Sequence, residues 1–205
     1  MELAVVGVSH KTAPVEIRER LAFPSDRVHS ALSALLEHER IAEAMILSTC
    51  NRVEIVVALD EKADAHQQVA EFLDQARPGN RLDFDRHLYH FEDRDAIRHL
   101  FRVASSLDSM VVGEPQILGQ LKSAYAVAKG QGSVSGFLDL VMTRAFNVAK
   151  RVRSETEIGQ SAVSVSYAAV ELAREIFGTL QGKRALVIGA GKMAESAARH
   201  LRRAG

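Results

Sequence analysis

Sulfur is scarce in this chain: among its 205 residues there is one cysteine. No internal disulfide can form, and a metal site built on closely spaced Cys and His pairs lacks its thiolates. The histidines are scattered; His87 and His90 are three apart with no third ligand nearby, so no metal is expected. An excess of charge is missing too. Lys+Arg and Asp+Glu each number 26, which excludes a global basic field able to hold nucleic acid by counterion release, so any RNA contact must be local. Apolar runs such as Ala44 to Leu47 and Ala185 to Ile188 fall far short of the roughly 20 residues that cross a bilayer. The opening Met1-Glu2-Leu3-Ala4-Val5-Val6 has neither the basic stretch nor the longer apolar core of a secretory signal. The expectation is a soluble, cytoplasmic protein with no membrane partner. Internal repeats and low-complexity segments are absent as well.

What is present is an ordinary globular composition, 47% apolar and 25% charged, with length for one domain plus part of another. Glu2 to Val8 reads as a strand, and Val15 to Phe23 as a helix stopped by Pro24. Ser25-Asp26 suits the cap of a second helix, in which Val28, Leu32, Leu35 and Leu36 recur at helical spacing. Glu43 to Thr49 and Val53 to Leu59 are apolar, β-branched runs around Cys50-Asn51-Arg52, a spacing that predicts two strands and a tight turn. A helix over 64–76, a loop at Pro78-Gly79-Asn80 and a strand within Leu82 to Phe91 follow. From Asp93 onward the pattern is helical: Ile97, Leu100, Phe101 and Ala104 form one apolar face, Ile117, Leu121, Ala124, Tyr125 and Ala128 another, and a third helix covers 136–153.

Periodicity breaks near Ile158-Gly159, and a second unit is expected from there. It has a helix over 162–179, an apolar strand over 184–188, the glycine turn Gly189-Ala190-Gly191-Lys192-Met193-Ala194, and a helix through Arg203. The fold class is therefore α/β: an α+β catalytic domain over 1–158, with a small sheet and a helical part, then over 159–205 the beginning of a Rossmann-like nucleotide-binding domain. A single strand-helix unit cannot make a parallel sheet, so a truncated protein is expected.

The glycine turn carries its own chemistry. Gly189 permits the tight exit from a strand, Gly191 lets the backbone approach a pyrophosphate, and Ala194 keeps helix and strand close. The N–H groups at the helix start then face phosphate. Cys50 stands among Ser48, Thr49, Asn51 and Arg52; the guanidinium favours thiolate and the small polar neighbours suit a bound carbonyl, although a lone cysteine beside an apolar strand equally fits inert packing. His99 follows Ile97 by two and is expected to project away from the apolar stripe, toward Asp95, Arg102 and Ser106. Gly113-Glu114-Pro115-Gln116 suits a helix start with Pro115 in the first turn, and Gln116 and Gln120 share a face. Arg144, Lys150, Arg151 and Arg153 are either an RNA-phosphate patch or a solvated face.

Taken in order, Ser9-His10-Lys11-Thr12-Ala13-Pro14, Ser48-Thr49-Cys50-Asn51-Arg52-Val53-Glu54, Gly113-Glu114-Pro115-Gln116-Ile117-Leu118-Gly119-Gln120 and Gly189-Ala190-Gly191-Lys192-Met193 closely resemble the glutamyl-tRNA reductase family. The resemblance implies NADPH-dependent reduction of glutamyl-tRNA(Glu) to glutamate-1-semialdehyde through a cysteine thioester, the first step of tRNA-dependent 5-aminolevulinate and tetrapyrrole synthesis. It makes Cys50 the nucleophile and His99 a residue important for activity. Thr49, Asn51, Arg52, Ser109, Glu114, Pro115, Gln116 and Gln120 become substrate-binding residues, Arg52 for the carboxylate and Glu114 for the ammonium. Gly189, Ala190, Gly191, Lys192, Met193 and Ala194 become the cofactor loop. Implied partners are glutamyl-tRNA(Glu), a second copy through a C-terminal domain, and the downstream semialdehyde aminomutase. For this stretch of chain the expected activity is acyl capture and hydrolysis. Two alternatives stay open: a cysteine-dependent NAD(P) oxidoreductase of another acyl substrate, and a non-catalytic module that binds tRNA or a regulatory partner.

Overall fold

The computed structural model describes residues 1–38, 40–60, 64–76, 84–159 and 165–205. Four strands, β1 (Glu2–Ser9), β2 (Ile41–Ser48), β3 (Arg52–Leu59) and β4 (Tyr89–Glu92), form one antiparallel sheet in the order β2-β3-β1-β4. Every residue of β3 is buried, so both faces of the sheet are covered. This is why the strands read as continuous aliphatic runs rather than as an alternation of apolar and polar residues.

The first unit's helices are α1 (Val15–Leu21), α2 (Val28–Leu36), α3 (Ala65–Ala76), α4 (Asp93–Ala104), α5 (Gln116–Gln131) and α6 (Phe137–Glu155). α2, α5 and α6 pack on β2, and α4 packs on β1. α1 ends at Leu21, two residues before the expected Phe23, with Ala22 already extended. The strand expected within 82–91 is shorter than its apolar pattern. Residues 85–87 form a 3₁₀ turn and only Tyr89–Glu92 pairs, with Ala4 to Gly7 of β1. Residues 82–83 and the 78–80 loop lie outside the described residues. No helix among those described is long and apolar enough to cross a membrane.

Two further helices follow, α7 (Val165–Phe177) and α8 (Lys192–Ala204); residues 162–164 of the expected helix lie outside the described residues. The strand expected over 184–188 does not form. A strand exists by hydrogen bonding to a neighbour, and among the described residues none pairs with this segment. Leu186 and Ile188 accordingly stand 87% and 90% exposed.

One buried carboxylate ties the helical part to the sheet. The register of β2 shifts between Ile41 and Glu43, a bulge that re-aims side chains. Glu43 is 4% exposed and reaches the start of α6, whose N-cap Gly136 has no capping side chain of its own. Its Oε1 accepts from the Gly136 and Phe137 N–H at 2.7 and 3.0 Å, and Oε2 accepts from Leu138 N–H at 2.6 Å. Negative charge at a helix N-terminus also opposes the positive end of the helix dipole. Glu43→Ala leaves those N–H groups without their acceptors, that of Leu138 buried. It is expected to lower stability by about 2–4 kcal/mol, read as a fall in the urea midpoint, with Glu43→Gln intermediate.

Candidate functional site

The turn between β2 and β3 is shaped by Thr49. Its N–H donates to Arg52 O at 2.8 Å, and its Oγ1 accepts from Arg52 N and Asn51 N at 3.1 and 3.3 Å. The hydroxyl thus takes the place of a carbonyl in closing the turn, and Cys50 is left at its tip, exposed. The backbone N–H of His10, in the loop after β1, fastens the turn from the side by donating to Asn51 O at 2.8 Å.

A pocket of ≈ 150 Å³ opens beside this tip. Thr49, Cys50, Asn51 and Arg52 form one wall; Ser109, Glu114, Gln116 and Gln120 come from the loop after α4 and from the start of α5. The sequence-predicted substrate residues therefore converge, except Pro115, which does not line the pocket. It is the N-cap of α5 rather than a member of its first turn, and the helix begins at Gln116. The Ser109 hydroxyl is buried without a hydrogen-bond partner. Burial raises the Glu114 carboxyl above the usual carboxylate range.

His99 is not where the spacing puts it. It is 6% exposed, on the buried face of α4 with Ala96, Leu100 and Val103. Its ring stacks on Phe91 at 4.6 Å and lies 5.6 Å from Tyr89. Leu100 and Ala104 of the expected stripe are buried, but Ile97 and Phe101 are only half-buried, and the core face is 96, 99, 100, 103 and 104. His99 lines neither the pocket nor the larger cleft beside it. It meets Glu54, a residue the sequence reading quoted in a motif and assigned no role.

Glu54 is the hub. It is wholly buried on β3, and its Oε1 accepts from Arg52 Nη1 at 2.6 Å, His99 Nε2 at 2.8 Å and Tyr89 Oη at 2.5 Å. Burial alone would raise this carboxyl. The Arg52 charge and the His99 and Tyr89 contacts outweigh it and hold the group down at about 2. An ionised carboxylate only accepts, so His99 Nε2 must carry a hydrogen. Burial, and after it the same carboxylate, pushes the Tyr89 phenol up. Arg52 extends the network: Nη2 donates to the Asp108 carbonyl, and the Asp108 carboxylate lies 3.8 Å away and is bridged to Lys11.

Gly7 makes the Tyr89 contact possible. In the sheet it sits between Glu54 and Tyr89, and a side chain there would begin 2.3 Å from Val53 O and 2.9 Å from the Glu54 Cα. With none, β1 lies close enough for the phenol to reach across the strand. The loop that carries Asp108, Ser109 and Glu114 is held by Ser106, a non-glycine residue at φ 61°. The Ser106 hydroxyl donates to Glu114 O at 2.6 Å. Arg153 does not join a basic patch on α6; its guanidinium donates to Ser106 Oγ and Gly113 O, both at 3.3 Å. Arg151 pairs with Glu155 at 2.9 Å.

Beyond Glu114, Gln116 and Gln120 a larger cleft of ≈ 690 Å³ opens, with Phe23 and Ser48 on one side and Met193 and Ser196 of α8 on the other. Gly189 adopts φ +110°, Gly191 is the N-cap of α8, and nothing lies within 4 Å of where a side chain at either would begin. The Ser166 hydroxyl ties α7 to the first turn of α8 by donating to Met193 O at 3.2 Å. No group of three or more His, Cys, Asp or Glu among the described residues is placed to hold a metal.

An exposed thiol at the mouth of a pocket lined by a carboxylate and three amides, next to an open glycine turn, defines a thiol-centred site. The chain belongs to the glutamyl-tRNA reductase family: the family described as "Glutamyl-tRNAGlu reductase, N-terminal domain" matches residues 6–156. A second, "Shikimate / quinate 5-dehydrogenase", matches residues 171–205. Glutamyl-tRNA reductase of Solibacter usitatus is 60% identical over 205 residues, all of this chain and 49% of the relative. That of Syntrophotalea carbinolica is 55% identical over 201 residues, covering 98% of this chain and 45% of the relative. The solved glutamyl-tRNA reductase from Methanopyrus kandleri matches with a TM-score of 0.69 at 37% identity, over 99% of this chain and 47% of that one. The chain thus spans about half the length of the relatives it matches.

The Glu54 carboxyl sits lower in the folded state than in an unfolded chain, where it titrates near 4.5. Its stabilisation is therefore complete above about pH 4.5 and is lost as pH falls toward 2. Urea midpoints measured from pH 6 down to pH 2.5 are expected to fall across this window. In Glu54→Gln the slope should be shallower, and the midpoint at pH 6 should be lower, because Arg52 is left buried without its nearest counter-ion.

Proposed function

We propose that this chain performs the acyl-capture chemistry of glutamyl-tRNA reduction, the first step of tRNA-dependent tetrapyrrole synthesis, and that residues 1–158 and 159–205 are its catalytic and nucleotide-binding units. The observation that carries the reading is the placement of the exposed Cys50 thiol on a turn whose flanking residues line a pocket with Glu114, Gln116 and Gln120.

In this mechanism the Cys50 sulfur attacks the carbonyl carbon of the glutamyl ester. The C–S bond forms, the ester C–O bond breaks, and the ribose oxygen of the tRNA leaves with its electron pair and takes a proton from the medium. Thr49 and Asn51 shape the turn, Ser109 offers a hydroxyl with no other partner, and Gln116 and Gln120 offer amides. Glu114 receives the substrate ammonium, whose arrival returns the carboxyl to its charged form. The edge of Arg52 that lines the pocket receives the side-chain carboxylate. His99 acts through Glu54 as a positioning residue. It holds the acceptor that holds Arg52.

Gly189, Ala190, Gly191, Lys192, Met193 and Ala194 suit the phosphates of NADPH, because the open glycine backbone and the start of α8 admit close approach. When bound there the cofactor supplies the hydride that turns the thioester into an aldehyde and frees the thiolate. The proposal extends to glutamyl-tRNA as partner, to homodimerisation and to a complex with the aminomutase that consumes the semialdehyde.

Every residue given to acyl capture lies before residue 121, so the 205-residue chain is expected to take label from [¹⁴C]glutamyl-tRNA. A serine ester is formed far less readily, since the hydroxyl is rarely ionised near neutral pH. Cys50→Ser should therefore abolish the protein-bound label while leaving the circular dichroism spectrum unchanged. An unchanged adduct in Cys50→Ser removes Cys50 as nucleophile. Equal capture from a different aminoacyl-tRNA points instead to an oxidoreductase of another acyl substrate, and absence of any adduct points to a binding module.

A further inference from the structure

The guanidinium named from the sequence as the promoter of Cys50 chemistry, Arg52, is committed elsewhere: its charge is balanced by Glu54 and Asp108. Another arginine reaches the nucleophile turn. Arg18, in the last turn of α1, donates from Nε to the Cys50 carbonyl at 3.1 Å and from Nη1 to the Ala13 carbonyl at 2.6 Å. Among the described residues no carboxylate pairs with it. Lys11, the other cation of the loop after β1, is bridged to Asp108.

The Cys50 carbonyl is the side of the Cys50–Asn51 peptide that Thr49 does not hold, the N–H of the same peptide resting on the Thr49 hydroxyl at 3.3 Å. Thr49 fixes the Asn51 and Arg52 N–H groups and the Arg52 carbonyl, and His10 fixes the Asn51 carbonyl. Half a rotation of the peptide between the two central residues interconverts common turn types and sends the second of them to positive φ, a state asparagine tolerates well. Asn51 is not at positive φ. A fork anchored on α1 and on the Ser9–Ala13 loop holds the carbonyl in the observed sense.

We propose that Arg18 is the positioning residue of the nucleophile: its two-pronged contact sets the Cys50–Asn51 peptide so that the thiol faces the pocket, and its uncompensated charge acts on whatever approaches the sulfur. The His10 imidazole, held below its ordinary range first by burial and then by the charges of Arg52, Lys11 and Arg18, fits this placement. The inference rests on the reading of Cys50 as nucleophile.

The test uses the 205-residue chain and the variants Arg18→Lys, which keeps the charge but not the fork, and Arg18→Gln, which loses both. With a single cysteine, alkylation reports on Cys50 alone. Rates with anionic iodoacetate and neutral iodoacetamide are compared at one pH, so their ratio cancels the thiolate fraction and reads local charge. Arg18→Gln should lower that ratio about threefold, the effect of one nearby charge in a water-like dielectric, and Arg18→Lys should preserve it. Both variants should capture the glutamyl group about tenfold more slowly, as for the loss of one charge-assisted hydrogen bond. A merely structural role shifts the melting temperature and leaves the ratio alone. Wild-type capture by both variants, or an unchanged ratio in Arg18→Gln, overturns the proposal. If Arg18→Gln does not fold, wild-type capture by Arg18→Lys does so by itself. Retention of the acyl adduct in Cys50→Ser instead overturns the nucleophile reading, and the alkylation ratios then still report whether Arg18 acts on the turn.

Discussion

The buried ion pair between Arg52 and Glu54 is the constraint from which the site is built. Two charges removed from water are tolerable only when they are paired and hydrogen-bonded to neighbours, and removing either partner of such a pair costs about 3–5 kcal/mol. That requirement recruits the neighbours. The carboxylate takes hydrogen bonds from Tyr89 and His99, and the guanidinium takes the carbonyl of Asp108. Each of these comes from a different part of the chain: β3, β4, α4 and the loop after it. One charge pair thereby fixes the relation between the cysteine turn at the end of β2 and the loop that supplies Ser109 and Glu114. The pocket between them exists because the groups behind it cannot be moved apart cheaply.

Much of this was legible in the sequence, and the legible parts share a physical reason. Strands β2 and β3 and the helices α2, α5 and α6 have local signatures, such as a turn between β-branched runs or apolar residues at helical spacing. The convergence of Thr49, Cys50, Asn51 and Arg52 with Glu114, Gln116 and Gln120 followed from motif order rather than from spacing. What escaped was long-range. Glu54 looks like one polar residue in an apolar strand, and its role depends on a tyrosine 35 positions away and a histidine 45 positions away. A buried glutamate two residues from a buried arginine, on one face of a strand, was the available signal. The misplacement of His99 came from choosing Ile97 and Phe101 as the core face of α4; a helix with three aromatic or aliphatic choices per turn allows that error, and the stacking on Phe91 decides against it. The 184–188 segment has strand composition, but composition does not supply a neighbouring strand.

The division of labour between the two arginines near Cys50 shows why proximity in sequence is a poor guide to electrostatics. Arg52 is two residues from the sulfur, yet its charge is spent on carboxylates beneath the pocket. Arg18 is 32 residues away and faces the turn from outside with no counter-ion among the described residues. The nearer group is tied into the protein interior behind the one edge that lines the pocket; the farther one faces the turn with its charge uncommitted.

Helix α6 has a tie at each end. Glu43 grips its first turn from the sheet, and Arg153, near its last turn, grips the Ser106–Gly113 loop. At about 1.5 Å per residue, the 19 residues of α6 form a rod that joins the strand leading to Cys50 to the segment opposite it. The two walls of the pocket are thus members of a triangulated frame rather than two loops that happen to meet. A frame of this kind resists shear, and a displacement at either wall must be matched by a displacement at the other.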